Sequence, residues 1–288
     1  MPTLGPYTLH TIETGRFGLD GGAMFGIVPK PLWEQKIPPD DQNRIPLNMR
    51  CLLLRSDEHV ALIDSGIGTS FGEKFGRIYA VDHEYAELHA SLEAAGVTAA
   101  DVTDVILTHL HFDHCGGCTR RGEDGMELVF PNARHIVQQD HWAWATDPND
   151  REQGSFLDQN LQPLADSDQL HLVEGPTEVL PGVEVIPVHG HTEAQQMVKI
   201  SDNRGNCLVF VADLLPTTAH LPAAWIMAYD VRPLATLDEK KRFLNDAAAK
   251  GWDLFFEHDP EVAVANVKAT DRGFTAVDPR PLSELHAA

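Results

Sequence analysis

The chain has 288 residues, of which 43% are hydrophobic and 23% charged, so it is long enough to bury a sizeable core. With 22 Lys and Arg against 43 Asp and Glu, its net charge is −21, a balance that disfavours nucleic acid and anionic membranes as partners. Four cysteines are too few for a disulfide scaffold, and neither a membrane-spanning apolar run nor a signal peptide is visible, so we expect a cytoplasmic protein.

A predicted strand and a long loop open the chain. Residues 7–15, YTLHTIETG, have the apolar character of a strand. Residues 20–46 are rich in Gly and Pro and lack periodicity, which indicates a loop, and long loops are often functional. The apolar side chains of this loop either line a substrate pocket or a homodimer contact, or fold back onto the core. The side chains concerned are Met24, Phe25, Ile27 and Trp33.

Apolar runs then alternate with helical patterns along the rest of the chain. The predicted strands are 49–55, 59–68, 102–109, 133–139, 183–188, 206–214 and 252–259. The predicted helices are 83–96, 140–147 and 237–251. This alternation, with hairpins mixed in, predicts a mixed α/β layered fold. No linker-like change of composition interrupts the chain, so we expect one domain over residues 1–288.

Cys115 and Cys118 form a CGGC pair, which raises the question of a zinc or redox role. A zinc ribbon would need a second ligand pair at suitable spacing, and none is evident. A redox pair would be expected beside a thioredoxin-like pattern, which is also missing. We therefore expect both cysteines to be small packing residues.

The densest group of potential metal ligands is HLHFDH, residues 109–114. His109 and His111 are two residues apart, so in an extended segment both side chains point to the same side and suit one metal. Asp113 and His114 are adjacent and can point elsewhere, towards a second metal. The two glycines that follow would let the backbone make the tight turn between these ligands. The segment alone therefore predicts part of a two-metal site.

Further potential ligands stand where predicted strands end, and such ends can meet at one edge of a sheet. After the strand VEVIPV we predict His191 as a ligand, and His189 as a residue that supports a ligand or packs. Asp213 is the predicted bridge between two metals, and His258 is a further ligand. Asp64, at the end of a buried strand, would either hydrogen-bond to a ligating histidine or form a turn.

The motif HLHFDH, reached after an apolar strand and followed by GHT, VADL and FEHD, resembles the metallo-β-lactamase-fold superfamily of dinuclear hydrolases. The resemblance runs from LIDSGIG to FFEHDP. The segments DGGAMFGIVPKPLW and FPNARHIVQQDHWAWATDPN resemble the branch that holds N-acyl homoserine lactonases and methyl-parathion-type organophosphate hydrolases. The resemblance implies a four-layer αβ/βα sandwich of two mixed β-sheets flanked by helices, with the site at one edge.

The resemblance also implies a cofactor, namely two divalent metal ions, zinc first, with manganese, iron or cobalt as alternatives. It assigns to the first ion His109, His111 and His191. It assigns to the second ion Asp113, His114 and His258. Asp213 would lie between the two ions, and Asp64 would support a ligand.

The resemblance implies hydrolysis of a lactone or ester, of the N-acyl homoserine lactone type, by a hydroxide shared between two metals. Asp113 or Asp213 would pass a proton to the leaving group. Many lactonases of the family have a tyrosine three residues after the bridging aspartate, whereas this chain has Pro216. Tyr229 and His220 are the candidates to replace that tyrosine.

An apolar wall for an acyl chain or an aromatic leaving group is predicted from two segments. Its side chains are Met24, Phe25, Trp33, Trp225 and Met227. The first alternative to the lactonase is an organophosphate triester hydrolase of the same fold. A phosphodiesterase is disfavoured by the acidic charge, and a thioester hydrolase by the lack of basic residues near the motif. A non-catalytic metal protein is disfavoured because seven convergent ligands exceed a closed four-coordinate site.

Overall fold

Two large β-sheets lie face to face in the computed structural model, which describes residues 1–271 and 273–285. The strands are β1 Thr3–Leu4, β2 Tyr7–Asp20, β3 Arg44–Arg55, β4 Val60–Ile63, β5 Asp104–Ile106, β6 Thr119–Arg121, β7 Met126–Leu128, β8 Arg134–Gln138, β9 Leu170–Val173, β10 Thr177–Leu180, β11 Val183–Val188, β12 Gln195–Ser201, β13 Cys207–Phe210, β14 Asp253–Phe255, β15 Val264–Thr270 and β16 Gly273–Arg280. The helices are α1 Gly21–Phe25, α2 Lys30–Trp33, α3 Glu73–Ile78, α4 Leu88–Ala94, α5 Phe112–Cys115, α6 Gln139–Thr146, α7 Asp158–Ala165 and α8 Pro233–Lys250. Short 3₁₀ turns are formed by Ala99–Asp101, Gly116–Cys118, Ala212–Leu214, Thr218–His220 and Leu282–Glu284.

Both large sheets are mixed. The first has the order β1-β2-β3-β4-β5-β8-β9, antiparallel up to β4 and parallel from β4 to β9. The second has the order β10-β11-β12-β13-β14-β15-β16, and only its central pair, β13 and β14, is parallel. A small antiparallel pair, β6 and β7, lies outside both. Strands of the same direction, such as β13 and β14, end at the same edge of their sheet, which is where polar side chains can gather.

The apolar side chains divide into layers that match this arrangement. Leu52 and Ile106 of the first sheet meet Val198 and Phe210 of the second in one buried cluster between the sheets. The outer face of the first sheet is covered by α4, α6 and α7, and that of the second by α8, whose Leu244 is fully buried. The molecule is therefore a four-layer sandwich of two mixed sheets flanked by helices, and the predicted fold class is confirmed.

The segment 20–46 is more ordered than the sequence indicated. The Asp20 side chain accepts a hydrogen bond from Ala23 N (2.8 Å) and so caps α1. The segment continues into α2 and into the beginning of β3, and only the parts between them are loop. Helices of four or five residues are too short to show a 3.6-residue period, so the prediction of one long loop was wrong here.

Helix boundaries also differ from the predicted ones. The helix predicted at 83–96 begins only at Leu88, because the Glu87 side chain caps it by accepting from Ala90 N (3.0 Å). The helix predicted at 237–251 begins earlier, with Pro233 in its first turn, and Gly251 ends it in the left-handed conformation (φ 67°). No helix among residues 1–271 and 273–285 is both long and apolar enough to span a membrane.

Candidate metal centre

The six-residue motif lies at the end of β5 and bends within its own length. His109 and His111 are in the extended connection that leaves the strand, whereas Asp113 and His114 belong to the short helix α5. The side chains of the two pairs therefore leave the backbone in different directions, as predicted. The glycines that follow do not act as predicted, since Gly116 has ordinary right-handed helical angles (φ −60°, ψ −32°).

Three other candidate ligands come from the second sheet. His191 follows β11, Asp213 lies in the 3₁₀ turn after β13, and His258 follows β14. All three are buried, with exposed fractions of 2%, 8% and 2%. The edge where β13 and β14 end faces the end of β5 in the first sheet, so the site lies between the two sheets.

Three histidines form the first group of converging donor atoms. His111 Nδ1 lies 3.1 Å from His109 Nε2 and 3.2 Å from His191 Nε2. His191 is about eighty residues away from the other two in the sequence. Three imidazole nitrogens that meet in this way form one face of a tetrahedral metal site.

A second group lies beside the first. His114 Nε2 and His258 Nε2 are 3.1 Å apart, and Asp113 Oδ2 is 3.7 Å from each of them. Asp113, His114 and His258 thus offer one carboxylate and two imidazole donors. This donor set suits the same borderline divalent metals as the first group.

The carboxylate of Asp213 lies between the two groups. Its Oδ2 is 3.2 Å from His191 Nε2 and 4.0 Å from His109 Nε2. Its Oδ1 is 3.3 Å from His258 Nε2 and 3.7 Å from His114 Nε2. Each oxygen therefore faces one group, which is the arrangement of a carboxylate that bridges two metals.

The protonation of the cluster reflects its charge. Burial, and secondarily neighbouring histidines, hold the pKa values of His109 and His111 well below the usual value, so both imidazoles are neutral. Burial opposes protonation of His258, but Asp213 outweighs it and raises the pKa of His258 to about 9. Burial by itself would raise the pKa of Asp213, yet the surrounding histidines hold it well below the usual value. The carboxylate therefore stays ionised and attracts positive charge.

These observations test whether the residues fit metal ions. In each donor group two imidazole nitrogens face one another at 3.1 Å. Only a shared proton or a cation between them can satisfy both nitrogens. Among the described residues, the buried Asp213 Oδ1 has no hydrogen-bond partner of good geometry. Neutral imidazoles and ionised carboxylates are the forms that bind divalent cations, so His109, His111 and Asp213 are in the binding form and a metal would displace the proton of His258. The cluster is therefore able to hold metal ions.

Most of the candidate ligands are supported by a second contact. Asp64 lies at the end of β4, and its Oδ2 is 3.0 Å from His114 Nδ1, while it also accepts from Thr108 N (2.7 Å). This is the first of the two roles that the sequence left open for Asp64. His258 Nδ1 lies 2.8 Å from Asn48 O of the neighbouring β3. Such contacts fix ring orientation and leave the other nitrogen free for a metal.

Two supporting acidic residues escaped the sequence reasoning. Asp230 Oδ1 is hydrogen-bonded to His191 Nδ1 at 3.0 Å. Glu257 Oε2 is 3.0 Å from His114 Nδ1 but makes no hydrogen bond of good geometry within the described residues, so it acts on that ring through its charge. Glu257 carries a signal that could have found it, because a carboxylate that ends an apolar strand next to His258 is unusual. Asp230 lies in an irregular segment and is connected to His191 only through the fold.

Two further histidine candidates, His189 and His220, lie apart from the donor groups. The His189 side chain is 46% exposed and pairs with Glu193 Oε1 (2.6 Å), so it is directed outwards. It neither supports a ligand nor packs in the interior, so the prediction for His189 was wrong in both of its alternatives. His220 is buried, with Nε2 2.9 Å from Met24 O and its ring stacked on Phe25. Burial lowers the pKa of His220 to about 4. Both histidines have structural partners of their own.

A cavity of about 340 Å³ opens on the donor groups. It is lined by the candidate ligands His111, Asp113, His191, Asp213 and His258. Its apolar lining consists of Leu19, Met24, Phe112, Met227 and Ala228. Its remaining lining consists of Tyr79, Tyr229, Ser155, Arg151 and Glu152. Both donor groups are therefore reached from one space.

The predicted apolar wall is only partly present. Met24 and Met227 line the cavity, whereas Phe25 and Trp33 are stacked on each other (ring centroids 5.3 Å apart) in the core behind it. Trp225 packs edge-on against Phe25 and is outside the described lining. Phe25 and Trp33 therefore follow the alternative interpretation, in which they fold back onto the core, and the prediction that Trp225 belongs to the wall was wrong.

Cys115 and Cys118 are packing residues in the described structure. Both are fully buried in the cluster beneath the first sheet. The Cys115 thiol donates to Leu110 O and the Cys118 thiol to Ser65 Oγ, each at 3.3 Å. Burial raises the pKa of the Cys118 thiol to about 12, so it stays protonated and is a poor nucleophile or ligand.

Comparison with known proteins assigns the family. The family model described as the metallo-beta-lactamase superfamily matches residues 46–258. A probable metal-dependent hydrolase from Staphylococcus aureus has a similar structure, with a TM-score of 0.85 and 31% identity, over 97% of this chain and 100% of that one. An N-acyl homoserine lactonase of Bacillus cereus is 26% identical over 236 residues, which are 76% of this chain and 84% of the relative.

The fold is also that of AidC, a dizinc quorum-quenching lactonase, with a TM-score of 0.80 over 97% of this chain and 96% of that one. At 21% identity this similarity concerns the fold alone. The match of the family model covers most of the chain, including every candidate ligand from His109 to His258. The chain therefore belongs to the metallo-beta-lactamase superfamily and is a hydrolase of that family.

Proposed function

We propose that the chain is a dinuclear zinc hydrolase that opens the ring of N-acyl homoserine lactones. The observation that carries this proposal is the cavity of about 340 Å³ that reaches both donor groups and has apolar and phenolic side chains in its lining. The relatives whose names state a lactonase activity support the same substrate class. Zinc is favoured over manganese because the donors are mostly imidazoles, whereas manganese prefers oxygen donors; iron and cobalt remain alternatives.

The metals and the protein have separate tasks in this proposal. Two bound zinc ions would supply hydroxide at neutral pH and polarise the carbonyl group of the lactone. His109, His111 and His191 would hold one ion. Asp213 would bind both ions and so fix the distance between them. Asp113 lines the cavity with a carboxylate, so it can receive a proton and pass it to the leaving oxygen when the ring opens.

The cavity has parts that suit an acyl lactone. Met24, Phe112 and Met227 offer an apolar surface to the acyl chain. Burial raises the pKa values of the phenols of Tyr79 and Tyr229, so both hydroxyl groups keep their protons at neutral pH. A phenol in the lining can donate a hydrogen bond to a carbonyl oxygen on which negative charge develops.

Tyr229 is our candidate for the role of the tyrosine that is missing at position 216. Pro216 is a backbone element of the site, where its carbonyl accepts from His258 N (3.2 Å). Tyr229 lines the cavity, whereas His220 is outside the described lining and its Nε2 is turned to Met24 O. The phenol therefore reaches the substrate space from a different segment of the chain.

An organophosphate triester is the second candidate substrate. The observation that favours it is Pro216, because a phosphoryl centre does not require the tyrosine that lactonases of the family have at this position. The aromatic lining formed by Tyr79, Phe112 and Tyr229 would also accept an aryl leaving group. The two candidate substrates differ in the atom that the hydroxide attacks, which is the carbonyl carbon of a lactone or the phosphorus of a triester.

Substrate profiling with metal analysis tests the proposal. The purified chain, loaded with zinc, should contain two equivalents of metal and hydrolyse N-acyl homoserine lactones faster than aryl phosphotriesters, simple esters or β-lactams. His109→Ala should lose the ion held by His109, His111 and His191, and activity with it, whereas Tyr85→Phe, at an exposed position, should retain both ions and activity. A higher rate on the phosphotriester would select the second candidate, and full turnover by a metal-free His109→Ala protein would refute a metal-dependent mechanism.

A further inference from the structure

The candidate histidine ligands have one nitrogen at the metal site and one nitrogen outside it. Four of the five have a partner for the outer nitrogen within 3.0 Å. The pairs are His109 Nδ1 with Thr108 Oγ1, His191 Nδ1 with Asp230, His114 Nδ1 with Asp64, and His258 Nδ1 with Asn48 O. The fifth, His111, faces the site through Nδ1, and its Nε2 is buried without a hydrogen-bond partner among the described residues.

Glu152 presents the complementary unsatisfied atom. This side chain is 4% exposed and lines the cavity. Its Oε2 accepts from Trp144 Nε1 (2.8 Å) and from Asn149 Nδ2 (2.7 Å). Its Oε1 is buried with no hydrogen-bond partner in the described structure and lies 4.0 Å from His111 Nε2. Leaving two buried polar atoms unpaired at this separation is costly, and a small shift would pair them.

We propose that Glu152 is the positioning residue of His111. Its carboxylate accepts the Nε2–H of His111 and so holds the ring in the tautomer in which Nδ1 is free to bind a metal. This inference rests on the proposed two-metal function. A metal-bound imidazole normally donates its other N–H to an acceptor, and Glu152 is the buried carboxylate that faces this one.

The surroundings hold both partners in place. The Asn149 side chain is fixed because its Oδ1 accepts from the backbone N–H groups of Arg151 (2.9 Å) and Glu152 (3.2 Å). Its amide group is therefore turned to Glu152 Oε2 and leaves Oε1 on the side of His111. The ring of Phe156 packs against the His111 ring, with centroids 4.9 Å apart, and limits its rotation.

Glu152→Gln is the decisive substitution because it preserves shape and changes only the acceptor. Trp144 and Asn149 both donate to the Oε2 position, so the glutamine carbonyl oxygen belongs there and its NH₂ group is turned towards His111. Two donors then face each other, which favours the Nδ1–H tautomer of His111. We expect the affinity for one of the two zinc ions, measured by competition with a chelator, to fall by about 10- to 100-fold. The affected ion is the one whose binding is lost in His109→Ala, because His109 and His111 belong to the same donor group.

Trp144→Phe is the matched control. It removes a donor from the same carboxylate but leaves Oε1 free to accept from His111, so both zinc affinities should stay near those of the wild type. An equal loss in both variants would overturn the proposal, because it would show a general loosening of this segment. Wild-type affinity in Glu152→Gln would overturn it as well.

The tautomer can also be read without any variant and without activity. In two-bond ¹H–¹⁵N spectra of the metal-free wild type, His111 should carry its proton on Nε2, and a proton on Nδ1 would overturn the proposal. A wild type that binds two ions and hydrolyses lactones while Glu152→Gln is unchanged would refute only the role of Glu152. A wild type that binds no metal would refute the proposed function and this inference together.

Discussion

Single side chains in this site take their roles from what surrounds them. Asp213 is held ionised by three histidines, although burial alone would favour its neutral form. Tyr229 is affected in the opposite way, since burial raises its pKa and keeps the phenol protonated. A carboxylate that attracts cations and a phenol that donates hydrogen bonds therefore face the same cavity. Their chemistry is complementary at neutral pH.

Removing the Tyr229 hydroxyl should slow the proposed reaction without affecting metal binding. We expect Tyr229→Phe to lower kcat/KM for a lactone on the order of 100-fold, as for the loss of one donor to a developing oxyanion. Zinc content and thermal midpoint should stay at wild-type values, because the hydroxyl contacts neither donor group in the described structure. Steady-state kinetics with metal analysis check this, and an unchanged kcat/KM would exclude Tyr229 from the reaction.

At the scale of elements, close packing shapes the motif. A Cβ atom on Gly117 would overlap the carbonyl oxygen of Ser65, and one on Gly116 would overlap that of Ile67. The segment after β4, which carries Asp64, thus packs directly on the turn that follows α5. The glycines are required for this close approach and not for a left-handed backbone, which is why a local reading of the sequence gave the wrong reason.

Gly117→Ala should therefore disturb the site through packing. The added methyl group would push the segment around Ser65 away from α5, and overpacking of this kind costs about 1–3 kcal/mol of unfolding free energy. Urea unfolding measures the loss, and the affinity for the second zinc ion should fall with it because Asp64 moves away from His114. Gly154→Ala, where no atom lies within 4 Å of the added carbon, is the control and should be neutral.

At the scale of the whole molecule, the site joins the two sheets. The motif from His109 to His114 follows the first sheet, and His191, Asp213 and His258 follow strands of the second. Each donor group contains residues from both sides. A metal bound in either group would therefore connect the two halves of the sandwich and stabilise their packing.

Metal removal should consequently lower the stability of the entire fold. A ligand that binds only the folded state stabilises it by about 2.7 kcal/mol at one hundred times its Kd. We expect the thermal midpoint to fall after dialysis against a chelator and to rise again with added zinc, in proportion to the logarithm of its concentration. Calorimetry checks this, and an identical midpoint with and without zinc would contradict it.

Buried histidines outside the donor groups should make stability depend on pH. Burial lowers the pKa values of His135, His141 and His220 from the usual 6.5 to about 4. Between these two values the unfolded chain binds protons that the folded chain does not, so stability is lost as the pH falls through this window. Urea unfolding from about pH 7 down to about pH 4 measures the slope.

His135→Leu isolates one contribution to that slope. His135 is fully buried near Phe130, and neither of its ring nitrogens has a hydrogen-bond partner among the described residues. Leucine fills a similar volume and cannot take up a proton, so the stability of this variant should change less with pH. His171→Leu, at an exposed position, is the control, and an equal slope in wild type and His135→Leu would contradict the prediction.

The sequence by itself determined the layered α/β fold and the local part of the site. Alternating apolar runs and helical patterns are local signals, and so is the spacing from His109 to His114. Only the tertiary structure decided that His191 is directed into the site and His189 out of it, and that Phe25 lies in the core while Met24 lines the cavity.

The contacts of Asp230 and Glu152 with the site were also decided by the tertiary structure. Each faces a histidine about forty residues away in the chain, so no local pattern announces the pair. The physical reason is that the packing of the two sheets decides which buried polar side chains become neighbours, independently of their distance in the sequence.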